Sequence, residues 1–106
     1  MLIVISSASA APGRRDELVA AAQAVAAATR DDQGCLAYSF AADVEDENRI
    51  LGIEMWADQA ALDAHMAHDH TREFLSRAPA LVTGDPVMEF HHVPDTSPIA
   101  PGSRRS

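Results

Sequence analysis

The sequence has few basic residues and a single cysteine. It has no lysine, and its eight arginines are outnumbered by sixteen acidic residues, which gives a formal net charge of -8. Because nucleic acid and anionic membranes are bound through basic surfaces, this charge predicts that neither is a partner. The single cysteine, Cys35, excludes a disulfide within the chain.

Long apolar runs are absent as well. No run approaches the ~18 apolar residues of a membrane-spanning helix, and the short apolar segment at the start has no basic residues before it, unlike a secretory signal. We therefore expect a cytoplasmic protein. Residues 1–93 fit one domain, whereas residues 94–106 are rich in proline and serine and are expected to form a disordered tail.

The apolar pattern predicts four strands and three helices in the order βαββααβ. Strand residues alternate, as in Leu36, Tyr38 and Phe40, whereas helix residues recur at three- and four-residue spacing. The strands are expected at 2–5, 36–40, 50–56 and 87–93, and the helices at 14–30, from an N-cap at 58 onward, and at 71–80. Residues 43–48 are expected to form a hairpin loop, and Gly84-Asp85-Pro86 a turn.

This order is typical of a ferredoxin-like α+β sandwich, in which helices cover one face of an antiparallel sheet. The other face of the sheet would then be bare. Tyr38, Phe40, Trp56 and Phe90 are too apolar to face water, so we expect them on that face, covered by a second copy of the chain. The sequence therefore predicts a homodimer.

The stretch 50–70 joins the most apolar strand to a segment with three histidines. Such a strand is expected to be buried on both faces, and Glu54 lies within it. A buried carboxylate must be hydrogen-bonded, paired or open to a cavity, because burying it alone is costly. Glu54 therefore either orients a histidine or satisfies backbone donors or an arginine at the dimer interface, such as Arg49 or Arg72.

Three histidines, His65, His68 and His70, suggest a metal site at first sight. At about 100° per residue, His65 and His68 share one helix face, but His70 lies about 140° from His65. A metal would require the helix to break and a carboxylate such as Glu54 to approach. We therefore predict no metal. His65 is either a functional base, since imidazole titrates near neutral pH, or a structural residue that ties its helix to the sheet.

Several short motifs occur in a fixed order over residues 2–93. They are Gly34-Cys35-x-x-Tyr38-x-Phe40, Glu54-x-Trp56, Leu62-x-x-His65 and His70-x-x-x-Phe74. Together they resemble the antibiotic biosynthesis monooxygenase superfamily, particularly its small quinol-monooxygenase-like members. The resemblance implies a dimeric α+β barrel with a pocket in each protomer.

The resemblance also implies an activity. The better-known members of this superfamily oxidise phenols, quinols or related electron-rich aromatics with O2 and use no metal, flavin or haem, so no cofactor is expected. His65 and Glu54 would be the catalytic residues. The substrate-binding residues would be Tyr38, Trp56, Phe40, His70 and Phe74.

Other functions remain open at this point. The same pocket could hold an aromatic ligand without turning it over, or support acid/base isomerisation of a small carbonyl compound. Tyr38, Trp56 and Phe40 could equally be core residues. Cys35 has no neighbouring base in the sequence and is expected to be an inert buried thiol.

Overall fold

The computed structural model describes residues 1–94, and within them the chain follows the predicted order of elements. The strands are β1 (Leu2–Ala10), β2 (Cys35–Asp43), β3 (Asp46–Trp56) and β4 (Val82–His92), and the helices are α1 (Arg15–Thr29), α2 (Gln59–Ala67) and α3 (Asp69–Leu81). The predicted tail lies, apart from Pro94, outside the described residues. None of the helices in residues 1–94 is long and apolar enough to cross a membrane.

The four strands form one antiparallel sheet in the order β2-β3-β1-β4, with helices against one face. This confirms the predicted ferredoxin-like α+β fold. Leu2, Val4 and Trp56 are fully or almost fully buried between sheet and helices. Fully burying each such aliphatic side chain contributes roughly 1.5–3 kcal/mol relative to leaving it exposed, so this layer is a main source of stability.

Helix α1 forms because alanines and a few larger apolar residues recur at helical spacing. Leu18, Ala21, Ala22 and Val25 are all buried on one side of it. The N-cap predicted for α2 is confirmed, since the Asp58 side chain accepts a hydrogen bond from the Ala61 amide at 2.8 Å.

The turn expected at Gly84-Asp85-Pro86 is wrong, because β4 runs through it. The register against β1 shifts between Ser7 and Ser9, and this irregularity accommodates Gly84, whose φ is +70°. Pro86 is tolerated because β4 lies at the edge of the sheet, where a missing amide donor costs little.

The faces expected for the aromatic residues are also wrong. Tyr38 and Trp56 are buried within the chain, on the side that the helices cover. Phe40 and Phe90 share that side, since residues paired across antiparallel strands point the same way and these two pair with Gly52 and Val4. The register, rather than hydrophobicity, decides which face each residue occupies.

The opposite face of the sheet carries a different apolar set. It is formed around Ile5, Ile53 and Val87, and Ile53 is 48% exposed. Strand β3 is therefore not covered on both faces within this chain, contrary to the expectation from its composition. We call this surface, centred on Ile5, Ile53 and Val87, the open sheet face.

Gly34 positions α2 against the start of β2. Its φ is +79°, and a Cβ placed there would come within 2.5 Å of the Ala61 Cβ on α2. Gly13 has a similar φ of +75° but nothing within 4 Å of the same position. An alanine at either position would therefore strain the backbone, but only an alanine at position 34 would also overlap with a neighbouring side chain.

We expect Gly34→Ala to destabilise the protein clearly more than Gly13→Ala. The left-handed backbone costs roughly 1–2 kcal/mol for either alanine, and overpacking adds about 1–3 kcal/mol only at Gly34. Urea unfolding of both variants measures the difference. Equal losses of unfolding free energy in the two variants would show that the Ala61 side chain on α2 does not limit the size of the residue at position 34.

Candidate active site

A cavity of about 160 Å³ lies between the sheet and the pair of helices α2 and α3. Its walls are mostly apolar, with Val4, Phe40, Phe74, Met88 and Phe90 among them. The polar groups that reach it include Ser6, Tyr38, Glu54, His65 and Thr71. An apolar cavity of about 150 Å³ is enough to hold benzene. The size of this cavity therefore suits one aromatic ring.

A second concavity is larger but chemically poorer. This groove of about 250 Å³ between α1 and β2 is lined mainly by alanine and other apolar residues, together with Arg15 and Arg30. It offers no carboxylate, histidine or hydroxyl group, so it lacks an acid/base group that works near neutral pH. The smaller cavity is the better candidate active site.

Glu54 enters the cavity from β3 and is buried there. Trp56 Nε1 donates a hydrogen bond of 3.0 Å to its Oε1. Burial raises the pKa of Glu54, and the hydrogen bond from Trp56 opposes this only in part. Within this chain, the Arg49 guanidinium pairs with Asp43 at 2.8 Å.

His65 lies on α2 with its ring buried against Trp56, and the two ring centroids are 4.6 Å apart. Its Nδ1 is 3.1 Å from Asp32 Oδ2, and Thr71 Oγ1 lies 3.1 Å from the same nitrogen. Since a carboxylate only accepts, the hydrogen-bond network assigns the proton to Nδ1. Nε2, which has no partner within residues 1–94, is then the basic nitrogen.

Asp32 is a candidate site residue that the sequence did not reveal. It lies in the turn between α1 and β2, where its amide donates to Thr29 and its carbonyl accepts from the Cys35 amide. Burial raises the pKa of Asp32, but hydrogen bonds from His65 and His70 outweigh it and hold the pKa below its ordinary value. The carboxylate is therefore ionised at neutral pH and fixes the tautomer of His65.

Burial also decides the charge of His65 itself. It lowers the pKa of the imidazole, and the nearby Asp32 carboxylate opposes this only in part. The ring is therefore neutral at neutral pH. A neutral ring with its proton on Nδ1 can accept a proton at Nε2.

The other predicted site residues are divided between cavity and core. Tyr38, Phe40 and Phe74 line the cavity, and the Tyr38 ring lies 5.5 Å from that of His65. Burial raises the pKa of Tyr38, so its hydroxyl stays protonated and can donate to a ligand. Trp56 lies beneath the cavity and binds Glu54, whereas His70 turns away toward Asp32.

Cys35 is not activated as a nucleophile. Burial raises the pKa of its thiol, and the charges of Asp32 and Glu54 raise it further. A thiol that stays protonated is a weak nucleophile. We assign it no role in the site.

The raised pKa of Glu54 predicts a pH-dependent stability. Native Glu54 holds its proton more tightly than unfolded Glu54, so its contribution is fully present below pH 4.5 and is lost as pH rises through the folded pKa. Relative to wild type, we expect Glu54→Gln to gain unfolding free energy over that window, by about 1.4 kcal/mol for each pKa unit of elevation. Urea unfolding between pH 4 and pH 8 measures it. Glu45→Gln, exposed in the β2–β3 turn, is the control and should show a flat difference.

Known proteins share both the sequence pattern and the architecture. Residues 1–77 match the family described as antibiotic biosynthesis monooxygenase. An uncharacterized protein of Synechocystis is 26% identical over 98 residues, which is 92% of this chain and 67% of that protein.

The protein in the crystal structure of PA3566 from Pseudomonas aeruginosa is 30% identical to this chain. The two structures have a TM-score of 0.81, and the match covers 89% of this chain and 94% of that one. A crystal structure of an antibiotic biosynthesis monooxygenase is 28% identical, with a TM-score of 0.82 and coverage of 90% and 100%. The family match spans most of the chain, and these findings establish that the protein belongs to the antibiotic biosynthesis monooxygenase family.

Proposed function

We propose that this protein is a monooxygenase that oxidises a single-ring phenol or quinol with O2 and uses no cofactor. One observation carries the proposal. A neutral imidazole, held by Asp32 in the tautomer that leaves Nε2 as the acceptor, reaches an apolar cavity large enough for one ring. Phenols need a base to become electron-rich, and this arrangement supplies one in a site with little water.

Each polar group around the cavity makes a different contact with a bound quinol. His65 Nε2 accepts the proton of one hydroxyl group. The Tyr38 hydroxyl donates a hydrogen bond to the phenolate oxygen that results, and Glu54 accepts one from the second hydroxyl. Phe40 and Phe74, whose centroids are 6.0 Å apart, pack against the ring.

The chemistry balances with O2 as the oxidant and the substrate as the reductant. The quinolate transfers an electron to O2, and the radical pair recombines to form a carbon–oxygen bond and a hydroperoxide. Loss of the proton on that carbon breaks the O–O bond, releases water and leaves a carbonyl group. Hydroquinone and O2 thus give hydroxybenzoquinone and water, so that one oxygen atom enters the product.

We also propose that the protein is a homodimer joined through the open sheet face. Ile5, Ile53 and Val87 are each partly exposed there and lie on adjacent strands. Ile5 pairs directly with Ile53, and exposed apolar residues grouped in this way are typical of an interface. The cavity lies on the other side of the sheet, so each protomer builds its own.

Ile53→Glu should convert the dimer to a monomer, because it places a charge in the middle of the open sheet face. Val44→Glu is a matched control, since Val44 is 99% exposed in the β2–β3 turn, away from that face. Sedimentation velocity at micromolar concentration separates the two. A wild-type protein that sediments as a monomer would overturn the dimer.

Oxygen uptake tests the reaction. With substituted hydroquinones and catechols we expect uptake by the wild type, and a loss of roughly 10²–10⁴-fold in His65→Ala, which lacks the base. His91→Ala removes an exposed histidine on β4 and should retain full activity. Anthrone, with three fused rings, should be a poor substrate because the cavity holds one ring.

Other outcomes of this assay support other functions. Uptake that is the same in wild type and His65→Ala contradicts the proposal. A quinol that stabilises the protein against heat but is recovered unchanged indicates a binding module. Turnover of a small carbonyl compound under anaerobic conditions indicates an isomerase.

A further inference from the structure

The break between α2 and α3 brings together side chains that one continuous helix would keep apart. His68 adopts extended backbone, with φ -71° and ψ 147°, so His65 lies in the last turn of α2 and His70 in the first turn of α3. His70 Nε2 lies 3.0 Å from Asp32 Oδ2, and His65 Nδ1 lies 3.1 Å from the same oxygen. Two imidazoles thus meet on one carboxylate oxygen.

The spacing of these atoms suits a small divalent cation. One ligand atom from each of Asp32, His65 and His70 lies within 4.8 Å of the others. Tetrahedral Zn²⁺, with bonds of about 2.0–2.2 Å to nitrogen and oxygen, needs ligand atoms about 3.3–3.5 Å apart. The two nitrogen–oxygen separations of 3.0–3.1 Å therefore have to open by a few tenths of an ångström, while the two nitrogens, which lie within 4.8 Å of each other, have to take up the same spacing.

Within residues 1–94, the charged side chains that pair with Asp32 are all histidines. Its side chain is only 7% exposed, and its ion-pair partners within residues 1–94 are His65, His68 and His70, with no arginine among them. A nearly buried carboxylate is stabilised most by a full positive charge beside it.

The site is preorganised and has an entrance. Hydrogen bonds on both sides of Asp32 fix its backbone, and the Arg72 amide donates to the His68 carbonyl at the start of α3. The side chain of His70 is 26% exposed and that of His68 is 47% exposed, so solvent reaches the cluster from this side. His68 Nε2, 3.7 Å from Asp32 Oδ1, lies within a rotamer change of a fourth position.

We propose that Asp32, His65 and His70 form a binding site for a first-row divalent cation, best suited to Zn²⁺, with His68 or water as the fourth ligand. Two imidazoles and one carboxylate are a donor set that zinc accepts in proteins. The metal site goes beyond the proposed oxidation but shares His65 with it. A metal bound at Nδ1 of His65 leaves the proton on Nε2, so the metal-bound and base-competent forms are alternative states of the same residues.

Titration of metal-free protein with ZnCl2 in a calorimeter tests the site directly. We expect one Zn²⁺ per chain at micromolar or lower Kd, with binding weakened by at least ~10-fold in both Asp32→Asn and His70→Ala. The double variant His91→Ala/His92→Ala is the matched control. It also removes two histidines, both exposed on β4, and should bind as the wild type does.

Co²⁺ serves as a spectroscopic probe of the geometry, because tetrahedral Co²⁺ absorbs visible light far more strongly than octahedral Co²⁺. Wild type and the β4 control should show the intense bands, and His70→Ala should lose them. Heat denaturation with and without ZnCl2 confirms that each variant folds, and only proteins with the intact site should be stabilised.

Either of two results would overturn the site. One is a Kd of about 1 mM or weaker for wild-type protein, which is too weak for a built site. The other is binding that survives in Asp32→Asn and His70→Ala but disappears in the β4 control. Both readouts are independent of oxygen uptake, so a failed metal site and a failed monooxygenase assignment are distinguishable.

Discussion

Helices cover one face of the sheet and leave the other open, and the remaining features of the molecule follow from this asymmetry. Side chains along β2 and β3 alternate between the faces, so Tyr38 and Glu54 point inward together while Ile53 points outward. The inner side chains leave a cavity below α2 and α3, and the outer ones form the open sheet face. One alternation thus supplies both the cavity of the proposed reaction and the surface of the proposed dimer.

Buried polar groups form a connected chain from the sheet to the helices. Trp56 donates to Glu54 and packs its ring on His65, and His65 donates in turn to Asp32. In a region of low dielectric these hydrogen bonds are strong, and any partner left without one is costly. The arrangement therefore both holds α2 against the sheet and keeps two acid/base groups beside the cavity.

The cluster around Asp32 allows two uses of the same atoms. Without metal, Asp32 fixes the tautomer of His65 and leaves Nε2 free to accept a proton. With the proposed metal bound, the same Nδ1 would become a ligand and the base would be lost. The two states would differ in the occupancy of a site that His70 completes from α3. Metal availability would then set the fraction of protein able to carry out the proposed oxidation.

The sequence by itself determined the order of elements, the fold class and the family, because hydrophobic periodicity and short motifs are local properties. It also placed Glu54 and His65 among the residues of interest. It could not assign Tyr38 and Trp56 to a face of the sheet, because that depends on strand register. It also could not predict that Gly84 and Pro86 lie within a strand, whose position at the edge of the sheet tolerates them.

The sequence could not identify Asp32 as a neighbour of His65, because 33 residues separate the two. Asp32 is one of two adjacent aspartates in its turn, and no local pattern distinguishes it from the other. Only the packing of α2 against the α1–β2 turn brings that carboxylate to the imidazole, and contacts between distant segments are set by the tertiary structure alone.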